Sequence, residues 1–162
     1  MDIKEKGYRL NVGIIVANSD GKLLYCKRKN SNNWQFPQGG IDRNEDPFLA
    51  AIRELYEETG IEENKIKLIK ESDNWYKYDL PKKYKRNNFL WESFKGQKQK
   101  WFLFKLIHDT VIDLNNENNP EFDEFNWIDY WKPLDEIIDF KREIYIKVLN
   151  ELEPAYKLEF SK

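Results

Sequence analysis

Gly39-Gly40-Ile41-Asp42-Arg43-Asn44-Glu45-Asp46-Pro47-Phe48-Leu49-Ala50-Ala51-Ile52-Arg53-Glu54-Leu55-Tyr56-Glu57-Glu58-Thr59-Gly60-Ile61 spells a loop, a helix and a stop in consecutive residues. Asp46 suits the N-cap, and Pro47 suits the first helical position, where its missing N–H costs nothing. Gly60 suits the left-handed conformation that ends a helix. Phe48, Ile52, Leu55, Tyr56 and Thr59 fall along one stripe, the side that packs on a core. Glu54, Glu57 and Glu58 are spaced i, i+3, i+4 and share a face roughly opposite that stripe. Like charges at this spacing repel. Two accounts fit: an ordinary solvated acidic face, or a divalent cation held by carboxylate oxygens that relieves the repulsion. The second points to phosphate chemistry.

The residues around the acids favour the second account. Gly39–Ile61 resembles the Nudix box, G-x5-E-x7-R-E-U-x-E-E-x-G-U, where U is bulky and apolar. Gly39, Glu45, Arg53, Glu54, Leu55, Glu57, Glu58, Gly60 and Ile61 fill every fixed position. A chance match has odds on the order of one in 10⁹ per start position. The resemblance implies a Nudix hydrolase, which uses Mg²⁺ or Mn²⁺ to cleave a nucleoside diphosphate linked to another group. It also implies the Nudix fold, an α/β/α sandwich around a mixed sheet with a loop–helix–loop box at 39–61.

Composition bounds the alternatives. A chain of 162 residues, 40% apolar and 15% aromatic, fits one folded domain over 1–162. A net charge of −2 argues against a general nucleic-acid coat but leaves room for a local basic groove. Cys26 is the only cysteine and reads as inert core in an apolar strand; His108 is the only histidine and reads as structural. A Cys/His zinc site and a histidine-based triad are both excluded. The charged N-terminus is not a signal peptide, and Val12–Ala17, the longest apolar stretch, is far too short to span a membrane. A soluble, cytoplasmic protein is expected.

Periodicity places strands at Val12–Ala17, Lys22–Lys27, Trp34–Phe36, Ile66–Lys70, Trp75–Leu80, Lys100–Ile107 and Phe125–Ile128. Pro37–Gly40 reads as a glycine loop, and Lys82–Gly96 as an irregular excursion. A short helix is expected at Pro133–Ile138. A longer one is expected at Arg142–Leu152, with Ile144, Tyr145, Val148, Leu149 and Leu152 on its packing stripe.

Other stretches narrow the resemblance. Gly7-Tyr8-Arg9, Asn11-Val12-Gly13, Trp34–Gly40, Asn74-Trp75, Gly96–Phe102, Pro120–Asp123 and Phe140-Lys141-Arg142 are similar to the bacterial RNA pyrophosphohydrolases. That group converts RNA 5′-triphosphate ends to monophosphates and so starts RNA decay. It includes dinucleoside polyphosphate hydrolases of similar sequence, the alternative substrate class; a non-catalytic nucleotide-binding module is the third. The resemblance implies that Glu54, Glu57, Glu58 and Glu121, the last against a plain solvated loop acid, hold metal, and the Gly39 carbonyl can complete the shell because glycine permits close approach. Glu54 is the choice for general base, within reach of a metal-bound water. Arg53 and Glu45 brace the box. Arg9 and Arg28 match residues that hold phosphates, against a plain surface role. Phe140 matches a stacking platform for a base, against core packing. Asn33, Ile138 and Lys141 would lie beside it. Lys98, Lys100, Lys82, Lys83 and Arg86 are either a phosphate-tracking surface or a solvated charge run. Some relatives are stimulated by diaminopimelate epimerase. Leu10, Asn33 and Asp42-Arg43-Asn44 depart from the group's usual residues, and none of these is a metal ligand.

Overall fold

The apolar run at Val12–Ala17 is the inner part of a longer strand, β2 (Tyr8–Ala17), buried on both faces from Leu10 onward. Such two-sided burial needs layers on both sides of the sheet. The computed structural model, which describes residues 3–82, 94–137 and 139–161, supplies them. Around β2 lie β1 (Lys4–Glu5), β3 (Leu23–Arg28), β4 (Trp34–Gln35), β5 (Gln38–Gly40), β6 (Ile66–Glu71), β7 (Tyr76–Asp79), β8 (Gly96–Leu106) and β9 (Phe122–Ile128). Helices α1 (Pro47–Thr59) and α2 (Asp139–Phe160) cover the two faces, with 3₁₀ turns at Glu63–Lys65 and Lys132–Asp135.

The sheet is mixed. β2 runs parallel to β8, from Tyr8 opposite Gly96 to Ala17 opposite Lys105. It is antiparallel to β5 and meets β3 at Ala17 and Leu23. β3 pairs with β4 on one side and β9 on the other, with a bulge at Lys27/Arg28. Side chains alternate as strand geometry requires. Leu10, Val12, Ile14, Val16, Phe102 and Phe104 join Ala50, Ala51 and Leu55 in the core under α1. Ile15, Ala17, Trp101 and Leu103 join Tyr145, Val148, Leu149 and Leu152 under α2.

Several sequence expectations are corrected. Gln38–Gly40 is a strand rather than a loop, because its backbone groups pair with Asn11–Gly13. β8 starts at Gly96, so the polar run Gly96–Lys100 is strand; its alternate side chains, Gln97 and Gln99, are buried but hydrogen-bonded. Lys132–Asp135 is a 3₁₀ turn rather than a helix to Ile138. α2 begins at Asp139 and continues through Pro154 to Phe160. Proline normally breaks a helix. Here Tyr156 and Phe160 extend the packing stripe past it, and Tyr156 donates to the Gly21 carbonyl at 2.6 Å. Of the Lys82–Gly96 stretch, 83–93 lie outside the described residues.

α1 has the expected bounds. The Phe48 N–H donates to Asp46 Oδ1 at 2.8 Å, and Gly60 takes φ 74°. Its rotation differs from the expectation. Tyr56 is 46% exposed, whereas Glu58 is 2% exposed and faces inward with Ala51 and Leu55. The stripe expected to hold Tyr56 is therefore occupied in part by an acid.

Gly13 lies opposite Trp101 in the parallel register, and a Cβ there would overlap the indole. Gly13→Ala is expected to destabilise the protein by about 1–3 kcal/mol through overpacking. Thermal melting checks this, and an unchanged midpoint would show that the indole relocates at no cost.

Candidate active site

Arg53 assembles the site. Its Nε and Nη2 donate to the two Glu45 oxygens, each at 2.9 Å, in a bidentate fork. Nη2 also reaches the Gly40 carbonyl at 2.9 Å, and Nη1 donates to Glu54 Oε1 at 3.0 Å and Glu57 Oε2 at 3.3 Å. One side chain thus ties the 40–45 loop to two acids of α1. The Glu45 hydrogen bonds raise the Arg53 pKa above its ordinary value, and Arg53 in turn lowers that of Glu45.

The acids occupy unequal environments. Glu57 is partly exposed, and Glu54 is packed so closely on β5 that a Cβ at Gly39 would overlap its carboxylate. Burial pushes Glu54 up to about 7 against the opposing charge of Arg53, with Glu57 and Glu121 adding to the rise. Glu58 is the extreme case. Burial raises its pKa well above 4.5, followed by the charges of Glu121 and Glu54. Neither of its oxygens accepts a hydrogen bond among the described residues.

Glu121 reaches this cluster from the loop before β9, where its carbonyl accepts from the Lys29 N–H at 2.8 Å. Glu117, which the sequence did not single out, also lies near Glu121 and Glu57, and burial raises its pKa first. Its loop is strapped to the end of α1: the Asp113 N–H donates to the Thr59 carbonyl at 2.8 Å, and Asn116 Nδ2 to the Tyr56 carbonyl at 2.6 Å. Nothing in the polar run Asn115–Pro120 marks it beforehand.

A buried carboxylate with unpaired oxygens is costly unless a cation joins it. Glu54, Glu57, Glu58, Glu121 and the Gly39 carbonyl are hard oxygen donors of the kind Mg²⁺ and Mn²⁺ take. The residues fit such an ion. Among the described residues no three acids already converge on a single ion position, since Arg53 holds Glu54 and Glu57.

The basic and aromatic residues divide between the two faces of the sheet. Arg9 is half-buried beside Gly40 and donates to the Ile41 and Leu10 carbonyls at 2.8 and 2.9 Å. Lys98 lies on the α1 side, paired with Glu5 at 2.6 Å, and both Lys98 and Lys100 approach the Trp75 ring. Phe140 lies on the other side, in the first turn of α2 rather than before it, with its ring 5.6 Å from that of Tyr78. Lys141 is buried beside it, with Nζ 5.9 Å from the Phe140 ring centroid. The charge of Arg28 acts on both Lys141 and Tyr78, and that of Glu121 acts on Lys141. Asn33 closes the loop at the end of β3, its carbonyl accepting from the Arg28 N–H at 2.8 Å. Ile138, Lys83 and Arg86 lie outside the described residues.

A buried amide network was also missed. Gln99 Nε2 donates to Asn11 Oδ1 at 2.9 Å and Gln38 Oε1 at 3.2 Å, and the Tyr78 hydroxyl donates to Gln97 Oε1 at 2.5 Å. Tyr78 links it to the Phe140 ring. The alternating glutamines of Gly96–Lys100 were the available signal.

The NUDIX domain matches residues 7–149. An RNA pyrophosphohydrolase of Psychrobacter cryohalolentis is 45% identical over 158 residues, covering 97% of this chain and 91% of the relative. One from Methylococcus capsulatus is 44% identical over 154 residues, covering 94% and 80%. Among solved structures, the dihydroneopterin triphosphate pyrophosphohydrolase of E. coli superposes with a TM-score of 0.67 at 18% identity, covering 90% of this chain and 99% of that one. An Ap4A hydrolase of C. elegans gives 0.63 at 17%, covering 89% and 98%. At these identities the structures speak to the fold.

The buried acids make a stability prediction. Glu54 and Glu58 have folded-state pKa values above 4.5. Their protonated forms favour the fold, so the metal-free protein loses this stability as pH rises above about 4.5, the Glu54 part of it through about 7. Glu58→Gln removes the buried charge. At pH 8 without divalent ions it is expected to melt higher than the parent, by about 1 kcal/mol or more. The gap should shrink at pH 5, and Mg²⁺ should stabilise the parent selectively. Melting curves at both pH values, with and without Mg²⁺, check this; a less stable variant at pH 8 would show that the carboxylate already has a partner.

Proposed function

The chain belongs to the NUDIX family, and from that premise we propose that it is an RNA 5′-pyrophosphohydrolase, converting triphosphate or diphosphate ends to monophosphates. The observation that carries this is the position of Glu121. Its charge acts on Glu58 and Glu54 and also on Lys141. An acidic cluster is thus electrostatically coupled to a basic and aromatic one. Phosphate chemistry needs the first, and a nucleotide chain beyond the reacting phosphates needs the second. The RNA pyrophosphohydrolases at 44–45% identity over nearly the whole chain support the same substrate.

On this proposal Glu54, Glu57, Glu58, Glu121 and the Gly39 carbonyl hold the divalent cation, Mg²⁺ or Mn²⁺. When bound, it neutralises charge along the phosphate chain and acidifies water. Water attacks phosphorus, the phosphoanhydride bond breaks, and the phosphate or pyrophosphate leaves with the bond's electron pair. Glu54 accepts the proton of the attacking water; it lies against the Gly39 backbone within the acid cluster. No covalent enzyme intermediate forms. Arg53 keeps the loop and helix in register, and Arg9 and Arg28 are assigned to the phosphates, which a guanidinium fork can bind bidentately. Phe140 offers a stacking face to a base near the 5′ end. An enzyme that exposes RNA to decay acts in the cytoplasm.

Triphosphate RNA, diphosphate RNA and diadenosine polyphosphates, compared side by side by kcat/KM, test the substrate. RNA is expected to be preferred; a preference for the dinucleotides assigns the alternative class, and no turnover of any of them assigns a binding module. Phe140→Ala is expected to lower kcat/KM for triphosphate RNA by about tenfold, the loss of a stacked base worth about 1–3 kcal/mol. A single nucleoside triphosphate should be much less affected, because it has no second base. Equal losses would assign Phe140 to packing against Tyr78.

A further inference from the structure

Gln35 is buried in β4 at 2% exposure, paired across the ladder with Cys26. Its Oε1 accepts a hydrogen bond from Lys141 Nζ at 3.0 Å, the one hydrogen bond found for that ammonium among the described residues. Lys141 is itself 7% exposed. A lysine ammonium has donors only, so the amide must turn its oxygen to Lys141 and its nitrogen away. Gln35 Nε2 accordingly has no acceptor among the described residues. A buried donor left unpaired is costly, so the amide's orientation favours the Lys141 contact at the expense of its own nitrogen.

The surroundings show what this contact holds. One turn along α2, the Tyr145 hydroxyl accepts the N–H of Phe36 at 3.0 Å. Lys141 and Tyr145 therefore clasp consecutive residues of the β4 segment and fix α2 against it. Lys141 feels two opposed charges, Arg28 and Glu121, and lies beside the Phe140 ring. Burial, and then Arg28, push its pKa down to about 7. Without the Gln35 oxygen the ammonium has no hydrogen-bond acceptor among the described residues, and the charge of Glu121 attracts it while that of Arg28 repels it.

We propose that Gln35 is a positioning residue for RNA recognition, holding the Lys141 ammonium beside Phe140, where the base of an RNA chain is seated. It rests on the proposal that Lys141 meets RNA. Gln35 touches neither the reacting phosphates nor the acid cluster; it acts through Lys141.

A double-mutant cycle of Gln35→Met and Lys141→Met tests this, with kcat/KM measured on triphosphate RNA and on a nucleoside triphosphate, and a melting curve for each variant. Gln35→Met is expected to lower the RNA value about tenfold, the size of one hydrogen bond to a charged group, and to leave the nucleotide value nearly unchanged. In the Lys141→Met background the same change should be silent, because the group it positions is gone. Gln35→Glu keeps an acceptor and should retain the RNA preference. If Gln35→Met costs RNA activity equally in both backgrounds, or costs both substrates equally, Gln35 is structural and the proposal is overturned. The same holds if Gln35→Met is harmless while Lys141→Met is not. If Lys141→Met itself leaves RNA turnover unchanged, the placement of Lys141 at the RNA fails, and the role of Gln35 fails with it.

Discussion

The Arg53 guanidinium ties the loop before α1 to two of the acids that the site uses. It binds Glu45 through two nitrogens, caps the Gly40 carbonyl and reaches Glu54 and Glu57. Without it, the 40–45 loop has no charged tie to α1, and the acids have no cation of their own. A planar fork with five N–H groups satisfies these partners together, which a lysine ammonium cannot do. The same contacts keep Glu54 against Gly39, where only the absence of a Cβ leaves room for the carboxylate.

The site is bought with stability. Neither oxygen of buried Glu58 accepts a hydrogen bond among the described residues, and Glu54 is buried deeply enough to raise its pKa to about 7. A fold selected for stability alone would place apolar side chains there. The surrounding fold offsets the cost through two well-filled cores, one under each helix, joined by a β2–β8 ladder buried on both sides. Strain of this kind belongs at functional sites, where local rules are broken and rigid surroundings enforce the result.

The sheet also sorts the charged groups. Alternation along β8 sends Lys98 and Lys100 to the α1 side and Gln97 and Gln99 to the α2 side. The basic residues therefore do not form one stripe. Arg28 and Lys141 belong with Phe140, whereas Lys98 belongs with Trp75 and Glu5. The bulge at Lys27/Arg28 and the Glu121–Lys29 hydrogen bond bring the end of β3 to the acids.

Much of this was legible beforehand. Asp46, Pro47 and Gly60 set the bounds of α1 because capping and termination are local chemistry, decided within a few residues. Strand positions and the α/β class followed from periodicity, which is local too. The rotation of α1 was not legible. Glu58 and Tyr56 are two residues apart, and which of them faces inward depends on β2, β5 and the loop before β9, all distant in sequence. Nor was Gln35 legible. A single glutamine in an aromatic run carries no signal until α2, more than a hundred residues on, lays Lys141 against it. The sequence by itself determined the elements, their caps and the set of acids; the tertiary structure decided which acid is desolvated and which polar groups meet, because burial and long-range pairing exist only once the layers have packed.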